Sequence, residues 1–164
     1  MIVLSLDPSL SSTGYAIIDS NNHTLIHKGK INPSKKLSTD DKVQNIIHTL
    51  QTFCSSIPYV VLEDGYVGVN MRGSLKLAEL RGALIAYFKY NGCEVIHQPP
   101  KEIRKRFGLK GNATKEEVSK EVLKYYPYLE YDIGPYSDKP NKRKTSDIYD
   151  AIATGLSYVL NLKE

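Results

Sequence analysis

Cysteine is scarce in this chain: Cys54 and Cys93 are the two among 164 residues, and they form no CxxC. A disulfide-stapled scaffold is thereby excluded. Each lies in an apolar-periodic segment, so both are expected to be reduced, buried thiols. No Cys/His spacing suits tetrahedral zinc, which removes a structural zinc site. No run of about 18 apolar residues occurs, so no membrane-spanning helix is expected. The opening MIVLSLDPS lacks a basic region followed by a long apolar one, and Asp7 interrupts it. It reads as a strand rather than a secretory leader, and a cytoplasmic protein is expected. Repeats, low-complexity tracts and linkers are also missing. One domain spanning 1–164 follows, long enough to bury a genuine core. Nor is there a large excess of one charge: 22 basic and 18 acidic residues leave a net +4. So mild a balance does not establish a nucleic-acid partner, and position matters more than total.

Hydrophobic patterning supplies the fold. Ile2–Leu6, Thr13–Asp19 and His23–Ile31 read as three strands joined by short turns, hence antiparallel neighbours. Ser38, Thr39 and Asp40 offer an N-cap, followed by Val43, Ile46, Ile47, Leu50 and Phe53 at helical spacing. Tyr59–Glu63 is a buried strand, and a strand–helix–strand order implies a crossover to a parallel position. A Gly-rich stretch over 64–73 precedes a helix from about Ser74 to Tyr90, which Gly92 stops. A fifth strand covers Cys93–His97, and Ile103–Phe107 reads as a short helix. Thr114 with Glu117 forms a capping box opening a helix through about Tyr125. Residues 127–145 read as a loop, and a last helix starts at Ser146 or Asp147. The expected fold is α/β: a five-stranded mixed sheet, three strands antiparallel and two parallel, flanked by helices.

The chemistry is carried by acids at element ends. Asp7 closes the first strand and Glu63 the fourth; as parallel neighbours these strands lie about 4.8 Å apart, so both acids leave the same carboxyl edge. Asp147 and Asp150 stand i, i+3 on one face of the last helix. Each has a bland alternative. Asp7 before Pro8 suits a turn; Asp147 suits an N-cap; Asp150 lies where the helix dipole favours acids. Glu63 is the exception, because an acid closing an apolar strand is costly to half-bury without a partner. Four converging carboxylates repel unless a cation separates them, and oxygen ligands of this kind suit magnesium or manganese. Beside these acids lie two basic clusters, Lys101, Arg104, Lys105, Arg106 and Lys110, and Lys139, Lys142, Arg143 and Lys144. Either is equally a solvated surface.

The stretches LSLDPSLSSTGYAII, VVLEDGYVGVNMRGSLKLAELRGA, PPKEIRKRFGLKGNATKEEV and SDIYDAIATGLS, in that order, resemble the RuvC-type Holliday junction resolvases of the ribonuclease H-like superfamily. The likeness covers residues 1–124 and 146–160, and the chain resembles the short phage-encoded members. It implies an endodeoxyribonuclease that cuts four-way junctions symmetrically as a two-fold homodimer. It also implies two Mg2+ (or Mn2+) ions held by Asp7, Glu63, Asp147 and Asp150. Tyr66 matches an aromatic that stacks on a base, and Arg104 and Lys115 match basic positions near the cut. Arg72 and Lys105 are grouped with them as DNA contacts. The helix from Ser74 to Tyr90 matches the dimer helix, where Gly82, Ala83 and Ala86 would admit a second helix or pack on the sheet. Two rivals keep the same residues: another ribonuclease H-like nuclease acting on flaps or RNA–DNA hybrids, and a non-catalytic module that binds branched DNA.

Departures from the family pattern are Ser5 and Ser9 where Gly is usual, which flank Asp7 and are expected to alter its turn, and Asp64 directly after Glu63, either a spare ligand or a side chain pointing away. The 127–145 loop is longer than the family's and carries Tyr128, Tyr131 and Tyr136. These bear on substrate choice rather than on the chemistry.

Overall fold

Apolar residues run so nearly unbroken along the central strands that both sheet faces must be covered. The structure, a computed structural model, describes residues 1–54, 56–65, 70–139 and 144–162. Its strands are β1 (Ile2–Asp7), β2 (Thr13–Asp19), β3 (Thr24–Ile31), β4 (Tyr59–Glu63) and β5 (Glu94–Gln98). They form one sheet in the order β3-β2-β1-β4-β5. β1–β2 and β2–β3 are antiparallel, whereas β1–β4 and β4–β5 are parallel. This is the expected mixed sheet.

The helices are α1 (Thr39–Cys54), α2 (Met71–Tyr90), α3 (Pro100–Arg106), α4 (Lys115–Tyr125), α5 (Leu129–Asp132) and α6 (Ser146–Asn161). Strand alternation divides the core in two. Leu4, Leu6, Ile17, Val60 and Leu62 pack with Ile46 and Leu50 of α1 and Leu80, Leu84 and Phe88 of α2. Val3, Ala16, Ile18 and Val61 pack on the other face with α3, α4 and α6, through Ile103, Val118, Val122, Ile152 and Leu156. Each such side chain, buried fully, contributes about 1.5–3 kcal/mol. The result is three layers, helices on both sides of a sheet.

α6 lies closest to the sheet, and two glycines permit it. A Cβ on Gly14 of β2 would fall 1.8 Å from the Asp147 carbonyl oxygen. A Cβ on Gly155 would fall 2.5 Å from Ser5 Oγ. Ser5 is fully buried, and its hydroxyl donates to the Ala151 carbonyl at 2.7 Å. The serine that departs from the family pattern therefore ties β1 to α6, and the turn after Asp7 is not what it alters. Ser9 does shape that turn: its Oγ accepts from the Ser11 N–H at 3.3 Å.

Several boundaries differ from expectation. α2 begins at Met71 rather than near Ser74, because Asn70 caps it by accepting from the Gly73 N–H. α3 begins at Pro100, whose missing N–H costs nothing at a first helical position. The stretch 127–145 is not wholly a loop: α5 forms there, anchored by buried Leu129 and Ile133. Cys93 is buried and free, as expected. No described helix is long and apolar enough to cross a membrane.

Candidate active site

Register places the acids before any side chain is considered. Leu6 of β1 pairs with Leu62 of β4, so Asp7 and Glu63 follow side by side at the carboxyl edge. α6 crosses that edge with its first turn, held down by the Gly14 contact, and delivers Asp147 and Asp150. Both are buried, 6% and 8% exposed. Asp7 and Glu63 share one cleft with Arg104 and Lys115, and Glu63 and Asp150 share its continuation.

The electrostatics record the crowding. Burial pushes the Asp7 carboxyl well above its ordinary range, and the charges of Glu63, Asp150 and Asp147 push it further. Burial likewise raises Glu63, with Asp150 adding to the effect and Lys115, Arg104 and Arg81 opposing it. Asp150 is raised by burial against the pull of Lys115. Burial alone would lower the Lys115 ammonium, but Asp150, Asp7 and Glu63 outweigh it and hold the proton more tightly than usual.

Lys115 is thus the cation among the carboxylates, its Nζ 2.6 Å from Asp150 Oδ2. It is the first residue of α4, after the Thr114–Glu117 capping box. A lysine there opposes the helix dipole, and the carboxylates compensate. Asp147 is not an N-cap, since Thr145 holds that position. Its oxygens accept from Ser12 Oγ at 2.7 Å and pair with Lys144 Nζ at 2.8 Å. Asp64 lines the same cleft, with its Oδ1 engaged by Arg81 Nη2 and His97 Nδ1, each at 3.1 Å. Arg81 also donates to the Glu63 carbonyl oxygen, fixing the end of β4 from α2.

Of the basic residues expected at DNA, Arg104 lines the cleft and donates to the Gly111 carbonyl at 3.1 Å, while Lys105 and Arg72 are exposed on α3 and α2. Tyr66, Lys142 and Arg143 lie outside the described residues. Sequence reasoning missed Ser12 and Arg81 as partners of the acidic segments, and no local pattern marks them, whereas Lys144 stands in a basic cluster three residues before Asp147. Tyr136 was noted only as a loop aromatic. Its ring packs edge-on against Tyr149 at 6.0 Å, and burial, then Asp150, push its phenol up to about 12.

The donor set fits a hard divalent ion: buried, mutually repelling carboxylates whose charge only cations balance. Among the described residues no three acid, His or Cys side chains converge into a ready metal-holding group. Lys115 on Asp150, and Ser12 and Lys144 on Asp147, engage oxygens that such an ion requires.

A five-stranded mixed sheet in this order, with helices on both faces, has the ribonuclease H-like fold. The solved structure of T. thermophilus RuvC in complex with Holliday junction substrate superposes with a TM-score of 0.72 at 18% identity, covering 99% of this chain and 95% of that one. The family model described as crossover junction endodeoxyribonuclease RuvC matches residues 3–157, and the chain belongs to that family. A crossover junction endodeoxyribonuclease RuvC of Prosthecochloris aestuarii is 30% identical over 98% of this chain and 82% of its own length. One from Campylobacter jejuni is 31% identical over 98% of this chain and 96% of its own.

Proposed function

We propose that the chain is a metal-dependent endodeoxyribonuclease that resolves four-way DNA junctions by symmetric phosphodiester hydrolysis. The observation that carries this is the gathering of Asp7, Glu63 and Asp150 at one sheet edge, each raised by burial, beside Lys115 and Arg104. The relatives' names supply the substrate.

Asp7, Glu63, Asp147 and Asp150 would hold two divalent ions, magnesium or manganese, which would supply an activated water and stabilise the leaving oxygen. The chain's own residues do the rest. Arg104 and Lys115 bring the scissile phosphate to the acids, while Lys105 and Arg72 hold flanking phosphates. Tyr66 stacks on a base near the branch point, where such stacking is worth about 1–3 kcal/mol. Lys115, its Nζ 2.6 Å from Asp150 Oδ2, keeps its positive charge beside the acids, where it attracts phosphate.

Two copies are needed to cut opposed strands, and we assign the dimer contact to α2. Its Met71, Leu75, Gly82 and Ala86 are exposed, so the small-residue stripe is not used against the sheet. The protein acts in the cytoplasm. We read it as a phage-borne member on the sequence resemblance; the relatives named above are bacterial.

Asp7→Asn tests the site. It is expected to abolish junction nicking while a gel shift still detects junction binding, and loss of both together counts against a metal-ligating role. Flap, fork and RNA–DNA hybrid substrates beside the junction separate this reading from a different ribonuclease H-like nuclease.

A further inference from the structure

Arg104 and Lys115 serve one side of the carboxylates. On the other side, beyond Asp147, the same sheet edge carries a second basic feature. Asp7 of β1 pairs with Gly14 of β2, and Gly14 pairs with Lys30 of β3. Lys30 therefore stands two strand spacings from Asp7, about 10 Å along the edge. Lys30, Lys35, Lys42, Lys76 and Lys144 line one open groove, contributed by β3, the segment after it, α1, α2 and the start of α6. No carboxylate of the described residues lines it. Among the described residues Lys35, Lys42 and Lys76 have no acidic partner. Lys30 is turned into the groove wall by donating to the Lys144 carbonyl at 2.7 Å.

The groove and the acidic site share a wall. Ser12 and Lys144 line the groove, and both bind the Asp147 carboxylate. A polyanion with one phosphate at the acids meets the groove next, without leaving the surface. Segments as far apart in sequence as β3, α2 and the approach to α6 each place a lysine there. The net charge is only +4, so a groove free of acids concentrates charge well beyond the chain's average.

We propose that this groove is a second DNA-backbone site, which holds the phosphates of a junction arm as it leaves the cleavage centre. It rests on the reading of the chain as a junction nuclease, and among the described residues Lys35, Lys42 and Lys76 pair with none of its acids. Ammonium groups without base-reading partners make it a sequence-independent contact, registering and orienting the arm.

The test measures binding of a fluorescent four-way junction without divalent ions, by anisotropy across a salt series, for the full chain. Lys35→Gln/Lys42→Gln/Lys76→Gln is expected to weaken binding at low salt. It should lower the slope of log affinity against log salt by about 2.7, roughly 0.9 for each lost phosphate contact. The corresponding triple arginine variant should keep the parent slope. Lys89→Gln/Lys120→Gln/Lys124→Gln removes equal charge elsewhere and should change the slope by less than 1. An unchanged slope in the groove variant, or an equal loss in the charge-matched control, overturns the groove alone. A parent chain that binds no junction overturns the nuclease reading and the groove with it.

Discussion

A single charge at Asp7 has opposite effects on stability and on activity. Its folded-state pKa is raised, so the folded chain favours the protonated form. Below the unfolded value of about 3.9 the acid is neutral in both states and costs nothing. The penalty grows as pH rises above that value, and at neutral pH the metal-free chain bears it. Asp7→Asn removes it. In EDTA at pH 7.5 the variant should melt above the parent by about 2–4 °C for each kcal/mol relieved, and the gap should shrink toward pH 4. Thermal melts at the two pH values check the sign. Lys115 has the opposite role. Lys115→Gln leaves the acids without their internal cation and should destabilise the metal-free chain by about 1–2 kcal/mol, between exposed and buried ion pairs. Adding magnesium should recover part of that loss in a melt, which a purely structural lysine does not predict.

At the scale of elements, the site depends on how closely α6 approaches the sheet. Gly14 touches the backbone carbonyl of Asp147, which cannot rotate aside as a side chain can. Gly14→Ala should therefore displace the first turn of α6, at an overpacking cost of about 1–3 kcal/mol. Nicking should fall far more than stability. Leu84→Ala, in the core beneath α2 on the opposite face, should cost about 2–5 kcal/mol yet leave the nicking rate of the folded chain near the parent's. Comparing the two variants by melting and by cleavage separates site geometry from stability.

The same contact shows where sequence reasoning stopped. Alternation in Ile2–Leu6 and the apolar run before Glu63 were enough to read strands, and the turn lengths fixed which strands run antiparallel. Asp7 and Glu63 were legible because strand ends share an edge. The α6 acids were legible only as a pair, since i, i+3 spacing says nothing about which strand the helix crosses. Gly14 looked like any strand glycine, and Ser5 like a departure in the turn, until α6 lay against both. Lys115 read as a DNA contact; its place among the acids depends on α4 meeting α6, a tertiary fact with no local signature. α5 was missed because four residues between Tyr, Pro and Gly offer too short a period, although Leu129 and Ile133 mark its buried side.

For the whole molecule, the account joins a carboxylate centre, two flanking basic surfaces and a second copy across α2. The proposed dimer should sediment at twice the 18.4 kDa chain mass, and Leu75→Glu should bring it to a single chain while the fold survives. The central claim is the gathering of the acids into a cation-dependent cutting centre for branched DNA, and one assay tests it most directly. A labelled synthetic four-way junction is incubated with the chain beside duplex, flap and fork controls, in EDTA, magnesium or manganese. Paired nicks at symmetric positions in opposed strands, leaving 5′-phosphates, should appear on the junction and only with a divalent ion. Nicking in EDTA, or an intact junction with both metals, contradicts the account.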